Sequence, residues 1–328
     1  MPQIVGKEIG PIGYGLMGLT WRKEPPSEEQ SFKAMRASLE AGANFWNAGE
    51  FYGTPEFNSL TLLNKYFTQY PEDAKKVVLS IKGGLVKMQP DGTAEGIKTS
   101  VENCLRLLDG KKSIDIFECA RVDRNTPIET TMKALEEYVK AGKIGGIALS
   151  EVSASSVRRA AKVTKIVAVE VELSLWSTDI LSNGVAAACA ENNIPIVAYS
   201  PIGRGMLTGE IKSPDDIPEG DMRKTMPRFL PENFSKNMDL VKALQNLAVQ
   251  KDCTGAQLAL AWIRSISKKD GNPEIFPIPG ATTEARVLEN SKDVTLSGEE
   301  LKAIESILSS FSVIGDRYNS HGMALVEG

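Results

Sequence analysis

Short apolar runs rich in β-branched residues recur along the chain: IGYGL, NFWNAG, VVLSIK, IDIFEC, IGGIALS, VAVEVELSL, PIVAYSP and IFPIPG. Longer segments between them place apolar residues three and four apart, the spacing of a half-buried helix. That spacing predicts helices over Glu28 to Leu39, Lys98 to Leu108, Ile128 to Lys140, Ser155 to Lys162 and Ile180 to Glu191. Two more are predicted between Met238 and Ser267, one over Thr283 to Lys292, and a closing one over Gly298 to Ser309. Pro25, Pro26 and the pair Ser27 and Gln30, a capping-box pattern, mark the start of the first.

Runs such as VVLSI are apolar on both faces, which suits a parallel sheet covered by helices. Eight strand candidates with helical crossovers predict an α/β fold, a closed (β/α)8 TIM barrel forming one domain over residues 1–328. Polar and glycine residues gather just after the strands: Asn47 and Gly49, Lys82 and Gly83, Glu118 to Asp123, Ser150 and Glu151, Ser200 to Gly205, Gly280 to Thr283. In a barrel these positions converge on one rim, where substrates bind. The aperiodic stretch Thr208 to Ser235 reads as a loop over that rim, and the tail 311–328 as a cover for the mouth.

Gly13, Gly15 and Gly18 match G-x-G-x-x-G, and Glu40 stands near the spacing of a ribose-binding acid. In a dinucleotide fold the third glycine opens a helix. Here LTWRKEPP follows it, so tight backbone packing at a strand end is the better reading.

Charge and composition narrow the function classes. With 38 basic and 42 acidic residues the net charge is −4, which gives no electrostatic reason to expect nucleic acid or an anionic membrane as a partner. The four cysteines, Cys104, Cys119, Cys189 and Cys253, form no C-x-x-C pair and read as reduced thiols. The opening MPQIVGKEIG has no signal-peptide core, and no run approaches the roughly 18 apolar residues of a membrane span. These features predict a soluble, cytoplasmic, unprocessed chain acting on a small molecule.

Tyr52 and Lys82 follow consecutive strands, so a barrel brings them to the same rim. An ammonium beside a phenol favours the phenolate, and this pairing predicts a lowered Tyr52 pKa and a proton donor suited to carbonyl reduction. Two other readings stand beside it. A loop tyrosine can pack its ring while the lysine snorkels, and a strand-end lysine also suits Schiff-base chemistry.

The set FWNAGEFYG, SIKGG, IDIFECARVD, IALSEV, VEVELSL, YSPIGRGMLTG and IPIPGATTEARVLEN, in this order from about Gly10 to Asn290, resembles the aldo-keto reductases. The resemblance implies an NADPH-dependent barrel enzyme without a dinucleotide-binding domain. It places the catalytic tyrosine on Tyr52 and the lysine on Lys82. The family's aspartate falls on Asn47 and its histidine on Ala120, so half of the usual tetrad is replaced. The sole histidine, His321, lies in the tail and does not align with the missing one.

For the cofactor, NADPH or NADP, the resemblance places Ser150 and Glu170 at the nicotinamide amide and Tyr199 on its ring. Ser200, Ile202, Gly203, Gly205 and Leu207 fall in the pyrophosphate loop. Thr282, Thr283 and Arg286 fall at the 2′-phosphate, with Glu289 and Asn290 near adenine. A guanidinium reads phosphate bidentately, which favours NADPH. Glu170 stands where many members carry glutamine, and a carboxylate accepts but does not donate unless protonated.

With Ala120 in the histidine's place, room is expected beside Tyr52, together with the loss of a hydrogen bond that orients the carbonyl. An electron-poor aldehyde best tolerates that loss, and pyridoxal, reduced reversibly to pyridoxine, fits. Asn47 removes the acid beside Lys82, so the lysine charge is expected to act on Tyr52 with less neutralisation. Trp21, Arg121, Asp123, Arg317 and Tyr318 are candidate substrate-side groups. The competing readings are a reductase of another aldehyde or ketone and an NADPH-binding regulatory subunit like the potassium-channel β subunits.

Overall fold

A computed structural model describes residues 2–328. Eight parallel strands form one sheet: β1 (Tyr14–Gly15), β2 (Phe45–Gly49), β3 (Val78–Gly83), β4 (Ile116–Cys119), β5 (Ile147–Ser150), β6 (Ile166–Glu172), β7 (Ile196–Tyr199) and β8 (Ile275–Pro277). Each strand neighbours the next in chain order, as β-α-β crossovers require. The two ends of the sheet meet: Gly13 N–H donates to Pro277 O at 2.9 Å and Gly15 N–H to Pro279 O at 3.0 Å. The predicted (β/α)8 barrel is the fold observed.

Closure explains the glycine motif. A Cβ at Gly13 would lie 2.8 Å from Phe45 O and 2.9 Å from Ile278 Cγ2, so the β1–β8 seam admits no side chain there. Close strand packing is what Gly13 and Gly15 serve, whereas Gly18 lies in the short helix Met17–Thr20, where a Cβ would meet only Thr282 Cγ2 at 3.6 Å.

Helices cover the outer face. Glu28–Glu40, Ala94–Leu108, Ile128–Lys140, Ala154–Val163, Glu284–Ser291 and Gly298–Ser310 follow the predicted segments closely. Three differences have local causes. The helix Ser59–Gln69 escapes the sequence reading because Thr61, Tyr66 and Phe67 blur its pattern. Its start is fixed by a capping box of Asn58 and Thr61, and Leu60, Leu62, Leu63, Tyr66 and Phe67 are buried. The segment predicted from Ile180 divides into a 3-10 turn, Asp179–Leu181, and a helix, Val185–Glu191, because Gly184 takes φ 94° between them. The helix predicted from Met238 begins earlier, at Pro231, whose fixed φ and missing N–H suit a first helical turn, and runs to Gln250. Gly255–Ile266 follows it. The stretch 208–230 is a loop carrying three short 3-10 turns.

Side chains alternate in and out along each strand, so the barrel interior is built in layers two residues apart. The lower layer is apolar: Phe45, Val78, Ile116, Ala148, Ala168, Val197 and Phe276 pack with Ile4 and Ile9 from the N-terminal hairpin. Each large apolar side chain buried there contributes about 1.5–3 kcal/mol. Two residues further along the strands the same inward positions carry Asn47, Ser80, Glu118, Ser150, Glu170 and Tyr199. The change from oil to polar groups occurs inside the strands, toward their C-terminal ends. Among the described residues no helix is long and apolar enough to cross a membrane.

Candidate active site

Lys82 stands at the end of β3, directly opposite Gly49 of β2 and Glu118 of β4 in the sheet register. After Gly49 the chain turns back, and Tyr52 N–H donates to Gly49 O at 3.2 Å. The phenol ring lies flat over Gly49, where a Cβ would sit 2.8 Å from ring carbons, so only glycine permits this approach. Trp21 stacks on the other side of the ring with centroids 5.5 Å apart, and Phe51 meets it edge-on at 4.9 Å. Thr20 Oγ1 donates to Tyr52 O at 2.6 Å. Tyr52 is thereby held at the barrel mouth, 7% exposed.

The surroundings of Lys82 overturn one expectation. Its ammonium donates to Asn47 Oδ1 at 2.9 Å and also to Glu170 Oε1, and Glu118 Oε1 lies 3.3 Å away. Asn47 Nδ2 donates to Glu170 Oε2 at 2.6 Å. Losing the acid at position 47 therefore does not leave the ammonium without acidic partners, because Glu118 and Glu170 both reach it. Glu170 is engaged at both oxygens by Lys82 and Asn47, not by a position prepared for an amide ligand.

Electrostatics follow from this cluster. Burial pushes the Tyr52 hydroxyl up to about 12; Lys82 pulls it down, while Glu170 and Glu118 push it up again. The lowering expected from sequence is outweighed, and the phenol keeps its proton throughout the neutral range. Burial alone would depress Lys82, but the charges of Glu118 and Glu170 hold it above the ordinary lysine value. Burial, then the charge of Glu118, raises the Glu170 carboxyl well above the carboxylate range against the pull of Lys82.

Glu118 is the residue to which the sequence reading gave no role. It is fully buried, and its Oε2 has no hydrogen-bond partner among the described residues. A carboxylate inside a strand, two residues after an inward-facing isoleucine, was the available signal.

Ala120 also departs from expectation. It is 1% exposed, with its N–H on Gly83 O at 2.9 Å, so the position that the resemblance assigns to histidine is closed and not an open space beside Tyr52. Asp123, expected on the substrate side, is occupied in its own turn: its carboxylate accepts from Gly92 N–H, Asn125 N–H and Thr126 Oγ1. It has a structural role here.

The tail reaches the mouth. Arg317 donates to Glu151 Oε2 at 2.9 Å and to Glu151 Oε1 at 3.1 Å, and Arg204 donates to Glu172 Oε2 at 2.8 Å. Tyr199 OH donates to Glu151 Oε1 at 2.7 Å and shares a 2.8 Å hydrogen bond with Tyr318 OH. Arg204 and Arg121 both lie against the Tyr318 ring, at 4.6 and 5.8 Å from its centroid. The backbone also docks: Ser153 N–H donates to Gly328 O at 2.8 Å.

The positions expected to hold NADPH lie around the same rim. Ser150 ends β5, and its buried hydroxyl has no hydrogen-bond partner among the described residues. Ser200 takes φ 49°, and Gly203, Arg204 and Gly205 take φ of 57°, 56° and 95°, a tight left-handed turn in which Gly203 N–H donates to Ser200 O at 2.9 Å and Gly205 N–H to Ile202 O at 3.1 Å. Ile202 precedes this turn and Leu207 is buried beneath it, its carbonyl accepting from Gln245 Nε2 at 2.7 Å. Thr282 O accepts from Gln30, and Thr283 caps the helix Glu284–Ser291. Arg286 bridges Glu289 at 2.7 Å and Glu210, while Asn290 is buried. A buried hydroxyl without a partner among the described residues, a tight glycine turn and the Arg286 guanidinium fit a phosphorylated dinucleotide. Among the described residues no cluster of metal-ligating side chains occurs.

A parallel barrel with a buried phenol and ammonium at its mouth defines an oxidoreductase of carbonyl groups, and the comparisons agree. The Aldo/keto reductase family model matches residues 11–309, and the chain belongs to that family. It is 43% identical to "Probable pyridoxal reductase 2" of Schizosaccharomyces pombe, over 97% of each chain. It is 42% identical to "Putative pyridoxal reductase" of Saccharomyces cerevisiae, over 93% of this chain and 95% of that one. The solved glycerol dehydrogenase of Gluconobacter oxydans superposes with a TM-score of 0.82 at 22% identity, over 96% of each chain, and shares the fold. This chain is an NADP-dependent oxidoreductase acting on a small carbonyl compound.

Proposed function

We propose that the chain reduces pyridoxal to pyridoxine, with Tyr52 as the proton donor and Lys82 as its electrostatic partner. The observation that carries this reading is the Tyr52 phenol, buried over Gly49 next to the strand position of Lys82. The names of the two fungal relatives support the choice of substrate.

NADPH, when bound, supplies the hydride that the carbonyl carbon receives. The chain's own groups do the rest. Tyr52 gives its proton to the carbonyl oxygen as negative charge builds there, and a hydroxyl that holds its proton to about 12 is fully loaded at neutral pH. Lys82 stabilises the phenolate left behind. Asn47 and Glu170 fix the ammonium in place through hydrogen bonds, and Glu118 adds an ion pair at 3.3 Å. Trp21 and Phe51 pack on the phenol ring, which is buried. Ser150, Tyr199, Ser200, Ile202, Gly203, Gly205, Leu207, Thr282, Thr283, Arg286 and Asn290 line the path for the cofactor.

The test is steady-state NADPH oxidation with pyridoxal by the wild type and Tyr52→Phe. The phenylalanine variant is expected to bind NADPH normally and to lose at least about 10²-fold in kcat, the lower end for a positioned acid. Turnover at the wild-type rate would remove Tyr52 from the mechanism.

A further inference from the structure

Three guanidiniums surround the Tyr199–Tyr318 pair, and they are not equivalent. Arg317 is held by Glu151 at 2.9 Å and Arg204 by Glu172 at 2.8 Å. Arg121 has no carboxylate within ion-pair distance among the described residues. Its side-chain hydrogen bond runs to its own neighbour, Ala120 O, at 2.5 Å, and its Cζ lies 5.8 Å from the Tyr318 ring centroid. It is half-buried. A guanidinium keeps its charge and carries five donors, so one backbone oxygen leaves most of them without a partner in the chain.

Its place in the site gives that vacancy a meaning. Arg121 follows Ala120, the closed position where the resemblance puts a carbonyl-orienting histidine. Along with Lys82, it is a cation whose charge works to lower the Tyr52 hydroxyl, and it acts on Tyr199 and Tyr318 as well. Its guanidinium faces the Tyr318 ring, which is hydrogen-bonded to Tyr199, and its backbone leaves β4 directly beside the end of β3 that carries Lys82.

We infer that Arg121 reads an ionised hydroxyl set next to the reacting aldehyde, so that the preferred substrates are aromatic aldehydes carrying an ortho oxyanion. In such a molecule the phenolate and carbonyl oxygens lie on one edge, as the two oxygens of a carboxylate do. A planar fork of N–H donors matches that edge, and an ammonium does not. The same contact supplies what Ala120 lacks: a donor to the carbonyl oxygen that strengthens as charge develops there. The inference rests on the reading of the site as a pyridoxal reductase and specifies what in pyridoxal it recognises, namely the 3-oxygen beside the formyl group.

The experiment compares kcat/KM with NADPH for pyridoxal, 2-hydroxybenzaldehyde and 4-hydroxybenzaldehyde in the wild type, Arg121→Met and Arg121→Lys. NADPH binding and thermal melting confirm that the variants are folded. The wild type is expected to favour the 2-hydroxy over the 4-hydroxy isomer by at least about 10-fold, in line with one charge-assisted hydrogen bond. Arg121→Met is expected to lose about 10- to 100-fold on the 2-hydroxy isomer and on pyridoxal but only a few-fold on the 4-hydroxy isomer. Arg121→Lys should restore part of the rate and little of the isomer preference. Equal losses on both isomers, or an unchanged ratio, overturn the inference. Failure of the wild type to reduce pyridoxal, with the isomer ratio still governed by Arg121, overturns the pyridoxal reading instead.

Discussion

Asn47 and Glu170 meet across the barrel interior, Asn47 Nδ2 donating to Glu170 Oε2 at 2.6 Å while both residues also contact Lys82 Nζ. In the arrangement implied by the family resemblance, the acid sits on β2 and an amide on β6. Here they have exchanged sides, and the ammonium between them keeps an acid and an amide as partners.

The exchange predicts a compensating pair. Asn47→Asp alone adds a third carboxyl to a buried cluster, and Glu170→Gln alone removes a partner from a buried ammonium. Each is expected to lower the melting temperature and cut kcat/KM at least about 10-fold, since breaking a buried pair costs about 3–5 kcal/mol. The double variant should recover most of both, with a coupling energy of about 1 kcal/mol or more. Additive losses would show that the two positions act independently.

The titration of the site has a definite sign. Burial holds the Tyr52 hydroxyl at about 12, above its ordinary value of about 10. Its contribution to stability is therefore complete below the ordinary value and lost as pH rises through about 12. With an aldehyde that does not itself ionise, kcat/KM for reduction should show no basic limb near pH 10. Glu170 is raised from the carboxylate range, so a limb at lower pH is expected to disappear in Glu170→Gln. A limb near pH 10 that vanished in Tyr52→Phe of residual activity would contradict the buried phenol.

Arg286 is expected to set the cofactor choice. It lies at the start of the helix after β8, within reach of Glu210 from the loop beyond β7. Arg286→Ala should raise the KM for NADPH about 10- to 100-fold, the value of a charge-assisted contact to phosphate, and leave that for NADH nearly unchanged. Parallel changes for both cofactors would assign Arg286 to the loop contact alone.

The tail is anchored by charge. Burial would raise Glu151, but the hydrogen bonds and charge of Arg317 outweigh it and hold the carboxyl below its usual range. A lowered acid contributes stability above its unfolded value, and that stability is lost as pH falls through the folded one. Acidification should therefore release residues 311–328 before the barrel opens, seen as faster hydrogen exchange in the tail. Arg317→Ala should cost about 3 kcal/mol and abolish that acid-linked step, because it leaves a buried carboxylate uncompensated.

Much of the site was legible in the sequence because the residues that carry it end strands. Tyr52, Lys82, Asn47, Ser150 and Tyr199 all follow apolar runs whose period gave the barrel and hence the rim. The acidic partners of Lys82 were not legible as such, since Glu118 and Glu170 face inward by parity and which groups meet there is set by closure of the barrel. Resemblance pointed to Glu170 as a ligand contact, and only the crossing of the barrel reveals its pairing with Asn47. The closed state of Ala120 and the turn role of Asp123 likewise depend on what neighbouring loops bring near them.

The seam between β1 and β8 rests on a two-residue strand and a three-residue strand joined by glycine and proline backbone. A closed cylinder has to open somewhere before it can unravel, and the joint with fewest rungs has least holding it shut. Amides at Gly13 and Gly15 are thus the place where deuterium should enter the sheet first, marking the line along which the molecule begins to come apart.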